Sequence, residues 1–117
     1  MQTNIIVTLQ VEGLHCWPEC PIEEVEFLKS PHRHIFHIEC KKEVTHSDRD
    51  IEIIKLKRKI LDHIMHKYGT SWGRLSYVVV NFGRMSCEQI AEELLIEFEL
   101  NYCKVLEDNE NGAEVLL

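Results

Sequence analysis

The sequence predicts an α+β fold in which an antiparallel sheet is covered on one face by two helices. Two strand-like segments open the chain, two segments with capping residues and apolar stripes occupy its middle, and a strand–turn–strand pattern closes it. Strands that follow one another directly favour antiparallel pairing, and a helix with one apolar face must bury it against another element. The 117 residues contain no internal repeat or flexible linker, so we expect a single domain over residues 1–117.

The N-terminal part is predicted to form two strands separated by a loop. Residues 4–12 are rich in β-branched residues and are bounded by Gly13, which is typical of a strand. Residues 13–31 contain all three prolines of the chain and are predicted mostly as loop. Residues 32–45 show the two-residue alternation of the second strand.

Two helices are predicted from their capping residues and apolar stripes. Ser47, with Asp50 three positions later, is interpreted as the start of a helix that runs to about Tyr68. Ser86 and Gln89 form the pattern of a capping box at the start of the second helix. Between them, LSYVVVNF is interpreted as a short strand or a buried connection. The final segment, YCKVLEDNENGAEVLL, is interpreted as a strand, a tight turn and a strand.

The composition narrows the classes of function. The formal charge is −7 and no block of Lys or Arg is present, which argues against nucleic acid as a partner. No apolar run reaches the ~20 residues of a membrane span, and the N-terminus lacks a basic region followed by an apolar core. An odd number of cysteines, five, favours reduced thiols. We therefore expect a cytoplasmic protein that binds a small or cationic ligand or a protein partner.

His32 and His34 are the sharpest candidates for chemistry. Side chains at i and i+2 of a strand project to the same face, so both rings can reach one ion, whereas His37 faces the other way. His15 follows the first strand and supplies a third nitrogen if the two strands pair as a hairpin. Three histidines with one open position are typical of a catalytic zinc site. The alternative interpretation is a set of polar surface or interface histidines, including a pH-sensitive patch.

Three residues are candidates for binding a small ligand. Glu107, at the end of a predicted strand, can accept two parallel N–H bonds from the edge of a guanine or pterin ring. Ser86 and Cys87, at a helix N-terminus, offer a hydroxyl and backbone N–H groups. Taken singly, an exposed turn residue and simple capping are the commoner explanations. The remaining carboxylates of the last segment are interpreted as a solvated acidic end: Asp108, Glu110 and Glu114.

Five short segments together resemble the tunnelling-fold (T-fold) proteins of the 6-pyruvoyl-tetrahydropterin synthase and 6-carboxy-tetrahydropterin synthase family. VEGLHCW matches the end of the family's first strand, and HRHIF matches its His-Gly-His-aromatic motif with Arg33 in place of glycine. HSDRDIEIIKLKRKIL matches a helix with an Asp-rich start, and MSCEQIA matches the opening of the second helix. EDNENGAE resembles the family's last hairpin. The matches follow the family's order over most of the chain.

The resemblance implies a fold, a metal and a ligand. The fold is an antiparallel β-β-α-α-β-β sheet with two helices on one face, and such sheets join between subunits into a barrel, commonly in trimers or hexamers. The metal is Zn²⁺, held by His15, His32 and His34. The ligand is a pterin or purine-like ring bound at subunit interfaces. The residues matched to binding of this ring are Glu107, Ser86 and Cys87.

The chain departs from the family's synthases at their catalytic groups. Leu28 occupies the position of the catalytic cysteine, four residues before the His-x-His pair. The stretch SYVVVNFGRM contains neither the aspartate nor the histidine of the family's Leu-Asp-His motif. Such proton-transfer groups contribute roughly 10²–10⁴-fold in rate. Cys16 and Cys20 are interpreted as reduced thiols, with Cys16 the best substitute. His46 and His63 are further substitutes, and none of the four stands at the family's position.

The sequence leaves three hypotheses for function. The first is a T-fold binding protein that holds a purine- or pterin-like small molecule or nucleotide without catalysis, such as a phage-type protein that sequesters a ligand. The second is a divergent zinc-dependent synthase or lyase of pterin or 7-deazaguanine synthesis, with Cys16 as the substitute base. The third is a structural or interaction role without a ligand. The missing acid–base groups favour the first.

Overall fold

The computed structural model describes residues 1–72 and 77–117, and it confirms the α+β class. The strands are β1 Thr3–His15, β2 His32–Val44, β3 Gly69–Trp72, β4 Tyr77–Asn81, β5 Tyr102–Glu107 and β6 Asn111–Leu116. The helices are α1 Ile53–Tyr68, α2 Cys87–Glu97 and a short 3-10 helix, Glu23–Lys29. The six strands form one mixed sheet in the order β3-β4-β1-β2-β5-β6.

β1 and β2 form an antiparallel hairpin at the centre of the sheet. Each strand has 13 residues, and the register runs from Thr3 opposite Val44 to His15 opposite His32. Because side chains alternate between the two faces of a strand, the odd-numbered residues of β1 and the even-numbered residues of β2 share one face. That face carries the buried apolar residues of both strands, as the predicted alternation requires.

The helices cover this face and enclose the core with it. α1 packs on β1, β3 and β4, whereas α2 packs on β5 and β6. α1 buries Leu56, Ile60 and Ile64, whose spacing places them on one side of the helix. Full burial of such a side chain stabilises by roughly 1.5–3 kcal/mol relative to exposure. The largest fully buried side chains are Phe36, Ile38, Ile60, Ile64, Ile90, Leu94, Leu100, Val80, Val105, Cys40 and Cys103.

The prediction of a wholly antiparallel sheet is wrong in one pairing. β4 runs parallel to β1, with Gly13 opposite Val80. The parallel pairing arises because β3 and β4 form an antiparallel hairpin after α1. β4, the second strand of that hairpin, therefore runs in the same direction as β1. Most of LSYVVVNF is therefore a strand, while Leu75 and Ser76 of that segment lie outside the described residues.

α1 begins later than predicted, and Ser47 is not its N-cap. Glu52 caps the helix, because its carboxylate accepts two backbone N–H groups of the first turn. Asp50, the predicted capping partner of Ser47, instead accepts the backbone N–H and the hydroxyl of Thr45 at 2.8 and 2.9 Å. These two bonds close the turn after β2, so the helix starts only beyond that turn.

α2 begins as predicted. Ser86 is its N-cap and accepts the backbone N–H of Gln89, while the Gln89 side chain accepts the backbone N–H of Ser86. This capping box satisfies two N–H groups that have no partner inside the helix. It also fixes the path of the chain into α2, where Cys87 is the first helical residue.

The segment predicted as loop, residues 13–31, is more ordered than expected. β1 continues to His15, because its last residues still pair with β2. Glu23–Lys29 forms the 3-10 helix. The backbone N–H of Trp17 donates to the carbonyl of Leu28 at 2.7 Å, which ties the two ends of the loop together.

The two outer strands of the sheet are β3 and β6. Apolar side chains are exposed at several places outside the core, including Ile6, Ile96 and Leu116 with 53%, 66% and 63% of their surface accessible. In the part of the chain that is described, no helix has the length and apolar character that a membrane crossing demands.

Replacing Gly112 with alanine is expected to destabilise the β5–β6 hairpin. A Cβ atom there would overlap the carbonyl oxygen of Val105 and lie 2.8 Å from the Cα of Leu106. Backbone must move to accept it, at a cost of about 1–3 kcal/mol. Urea denaturation measures the loss, and Glu110→Ala, at an exposed position of the same turn, serves as the control. Equal stability of Gly112→Ala and wild type would contradict this geometry.

Candidate metal centre and adjoining cleft

Three histidines meet at one end of the β1–β2 hairpin. His15 lies opposite His32, and His34 lies two residues further along β2. All three project to the face that the helices cover. Their ring centroids are separated by 4.6 Å (His15–His32), 5.4 Å (His15–His34) and 5.0 Å (His32–His34). The structure thus brings together the three predicted metal ligands, and the strand alternation places His37 on the opposite face.

The aromatic core supports these rings directly. Phe36 packs edge-on against His15 and His34, with centroids 5.2 and 5.8 Å apart. Gly13, opposite His34, makes this close packing possible. A Cβ atom at Gly13 would lie 3.1 Å from the Phe36 ring and 3.2 Å from the carbonyl oxygen of Val80.

Backbone carbonyl groups orient two of the imidazoles. His15 Nδ1 lies 2.9 Å from the carbonyl oxygen of Met85, and His32 Nδ1 lies 2.9 Å from that of Ser30. A carbonyl oxygen only accepts hydrogen bonds, so we infer that each Nδ1 carries a proton and donates it. In the neutral ring, Nε2 then holds a lone pair.

A carboxylate orients the third imidazole. His34 Nδ1 donates to Asp108 at 2.8 Å, and Asp108 also accepts the backbone N–H of Ile35 at 2.9 Å. These two bonds, that from His34 first, lower the pKa of Asp108, so its carboxylate stays ionised. In the neutral ring, the Nε2 atom of His34 is therefore also left with a lone pair.

The three imidazoles fit a divalent metal ion. One ring nitrogen from each residue can be chosen so that all three lie within 4.8 Å of one another. His15 Nε2 and His34 Nε2 are buried and make no hydrogen bond, a condition that costs about 1–3 kcal/mol per atom when nothing compensates. Burial lowers the pKa of His15, which opposes its protonation. Histidines that bind zinc characteristically donate their other N–H to a carbonyl or carboxylate, as all three do here.

Glu107 reaches the same place from β5. It pairs with Phe36 across the sheet, so its side chain shares the face of the histidines. Its Oε1 lies 3.1 Å from His15 Nε2, and its Oε2 lies 3.3 Å from His34 Nε2. The thiol of Cys87 lies 3.6 Å from Oε1 and donates to it. Burial, followed by the charge of Glu107, raises the pKa of Cys87 to about 12, so this thiol keeps its proton at neutral pH.

A cleft of about 1100 Å³ adjoins the histidines. Glu107 and the N-terminus of α2, with Ser86 and Cys87, line it, so all three predicted ligand-binding residues border the same cleft. Cys16 and Leu28 line it as well. Leu28, which the sequence resemblance matches to a catalytic cysteine, therefore lines the cleft, and so does Cys16, the predicted substitute.

The other histidines considered as proton carriers have separate partners. His63 lies between the two α-helices, where its Nε2 is 2.8 Å from Glu93. His46 lies in the turn after β2, 3.6 Å from Asp50. Cys20 is buried, and its thiol lies 3.7 Å from two carbonyl oxygens of the loop.

The sequence missed three groups that orient the imidazoles. The sequence predicts Asp108 as part of a solvated acidic end, yet it accepts a hydrogen bond from His34 while half of its side chain stays exposed. Its position next to Glu107 in a predicted turn was the available signal. The carbonyl groups of Met85 and Ser30 leave no signal in side-chain chemistry, because any residue carries one.

No family model matches the chain, and no curated protein matches it. Among solved structures, it is similar to the crystal structure of uncharacterized protein WS1659 from Wolinella succinogenes. The TM-score is 0.58 and the sequence identity 12%, over 99% of this chain and 98% of the other. A likeness at this identity concerns the fold alone.

Nuclear magnetic resonance of the metal-free protein is expected to show the proton on Nδ1 of His15, His32 and His34 near neutral pH. Long-range ¹H–¹⁵N correlations distinguish the two tautomers. Of the three ring acceptors, Asp108→Ala removes that of His34 alone, together with the acceptor of the Ile35 N–H, so the tautomer of His34 should change while those of His15 and His32 persist. His66, exposed on α1, serves as the internal reference. Protons found on Nε2 of these three rings would contradict the assignment.

Proposed function

We propose that this protein is a T-fold small-molecule binding protein that holds Zn²⁺ through His15, His32 and His34. A purine- or pterin-like ligand, nucleotides included, occupies the adjoining cleft. The observation that carries this proposal is the set of three imidazoles whose Nδ1 atoms each lie 2.8–2.9 Å from an acceptor, with one ring nitrogen of each within 4.8 Å of the others. In a patch of solvent-exposed histidines without a ligand, the rings would not have to be held in fixed orientations by such bonds.

The donor set supports zinc over the hard cations. Imidazole nitrogen suits zinc, whereas magnesium and calcium prefer oxygen ligands. When bound, the ion supplies a positive charge that can hold or polarise an atom of the ligand. The chain contributes the orientation of the rings, through the carbonyl groups of Met85 and Ser30 and the carboxylate of Asp108.

The polar groups of the cleft support a heterocyclic ligand. Glu107 can accept N–H groups from a ring edge, as guanine and pterin present them. Ser86 uses a lone pair of its hydroxyl as a helix cap and keeps its O–H to donate. Cys87 retains its proton and is a second donor. The cleft volume of about 1100 Å³ accommodates a nucleotide-sized molecule.

The absence of the synthases' acid–base groups supports binding without catalysis. Leu28 lines the cleft in place of their cysteine. The thiol of Cys87, beside Glu107, has a pKa of about 12 and is a poor nucleophile. A protein of this kind would sequester its ligand, as a phage protein directed at a small-molecule signal does. Its five free cysteines support a cytoplasmic setting.

We further propose that the sheet joins with copies of itself into a barrel of trimers or hexamers. The outer strands β3 and β6 support this, since open strand edges favour pairing with another chain. The exposed Leu116 on β6 adds apolar surface at one such edge. The cleft would then lie between subunits.

Purified protein is expected to contain one zinc ion per chain. His32→Ala removes one of the three proposed ligands and should weaken zinc binding. The loss should exceed the roughly 10–100-fold that is typical when a residue that only hydrogen-bonds a metal ligand is removed. His37→Ala, on the same strand but the other face, should bind zinc like wild type. Native mass spectrometry and competition with a chelating dye measure both, and the first also counts subunits. Wild-type protein that binds no zinc would refute the metal site.

The zinc-loaded protein is expected not to convert dihydroneopterin triphosphate at an enzymatic rate, for which about 10 s⁻¹ is a typical value. Chromatography of the products measures this. Cys16 lines the cleft and is the specific feature that favours the alternative, a divergent zinc-dependent synthase. Turnover that Cys16→Ala abolishes would establish that alternative and give Cys16 its role.

A further inference from the structure

We propose that Glu107 is the fourth protein ligand of the ion held by His15, His32 and His34. This inference rests on the metal site of the proposed function and deepens it. It gives Glu107 a place in the coordination of the ion in addition to its predicted contact with a heterocycle. The site is then closed by the protein until another molecule displaces the carboxylate.

The distances are those between two ligands of one ion. Glu107 Oε1 is 3.1 Å from His15 Nε2, and Glu107 Oε2 is 3.3 Å from His34 Nε2. Two tetrahedral ligands that each lie about 2.0–2.1 Å from zinc are about 3.3–3.4 Å apart. The observed separations approach that value.

The two contacts between Glu107 and the histidine Nε2 atoms have the length of hydrogen bonds, but they are not hydrogen bonds. Both Nε2 atoms are buried without a hydrogen-bond partner, although the carboxylate oxygens of Glu107 lie 3.1 and 3.3 Å from them. The Nδ1 atoms already carry the ring protons. Two lone pairs therefore face a negatively charged carboxylate, an arrangement that a cation between them would stabilise.

The hairpin of β5 and β6 holds Glu107 in this position. Asp108 follows it directly and has a left-handed backbone with φ of 54°. Asp108 bonds His34 Nδ1 while Glu107 faces His34 Nε2. Two consecutive carboxylates thus contact opposite edges of one imidazole, one orienting the ring and the other completing the site.

A His₃-carboxylate site has a chemical consequence. Zinc sites in which the protein fills all four positions are structural, whereas catalytic sites keep a position for water or substrate. A ring in the cleft can hydrogen-bond Glu107 through an oxygen that is not on the ion, or it can draw the carboxylate away and open the fourth position. Ligand binding and metal coordination are therefore coupled through one side chain.

Cobalt(II) alone, substituted for zinc, tests the inference through its visible spectrum. Wild type should show the intense bands of a four-coordinate ion, with no change between pH 6 and pH 9, since it has no bound water to ionise. In Glu107→Gln a water molecule should replace the carboxylate, so the bands should shift and become pH-dependent, because metal-bound water ionises near pH 7. Binding should weaken at least tenfold. Glu110→Gln, at an exposed turn position, should match wild type.

The outcomes separate this inference from the proposed function. Wild type that binds neither cobalt nor zinc would overturn the metal site and the inference with it. Wild type that binds cobalt while Glu107→Gln keeps the same spectrum, pH response and affinity would overturn only the role of Glu107. Circular dichroism of both variants establishes that they are folded, and a pH-dependent wild-type spectrum would also count against a carboxylate in the fourth position.

Discussion

The antiparallel pairing of β1 with β2 sets the position of every imidazole in the candidate metal centre. His15 stands opposite His32 at the end of a 13-residue register, and His34 follows two residues later on the same face. A shift of β2 by one residue would send the even-numbered side chains to the outer face. Such a shift would also expose Phe36 and Ile38, which are fully buried. Burial of the apolar side chains of β1 and β2 therefore fixes the register that also places the histidines.

The orientation of the rings depends on chain segments far from that hairpin. Met85, between β4 and α2, supplies the acceptor for His15, and Asp108, after β5, supplies the acceptor for His34. The capping box of Ser86 and Gln89 determines where the chain turns into α2, directly after Met85. The capping box thus positions the carbonyl group of Met85, and this acceptor determines which ring nitrogen of His15 keeps its lone pair.

The sequence predicted the parts of this site that follow from local periodicity. Alternation on β2 placed His32 and His34 together and separated His37, and the capping pattern located α2. It failed where tertiary contacts decide: Asp50 bonds Thr45 instead of helping to cap α1, and the β3–β4 hairpin makes β4 parallel to β1. The closeness of Glu107 to two imidazoles depends on the pairing of β5 with β2. No spacing within a single segment encodes that pairing.

The three histidines of the candidate metal centre lie on β1 and β2, whereas Glu107, proposed above as the fourth ligand, lies far along the chain at the end of β5. Anything that binds them together closes a loop that contains most of the polypeptide, and the entropy of such a loop grows with its length. An ion held there would act as a reversible cross-link. Its contribution to folding would rise with the free metal concentration, by about 2.7 kcal/mol at one hundred times the dissociation constant. The free metal concentration in the cell would then influence how much of this protein escapes degradation, even when no small-molecule ligand is bound.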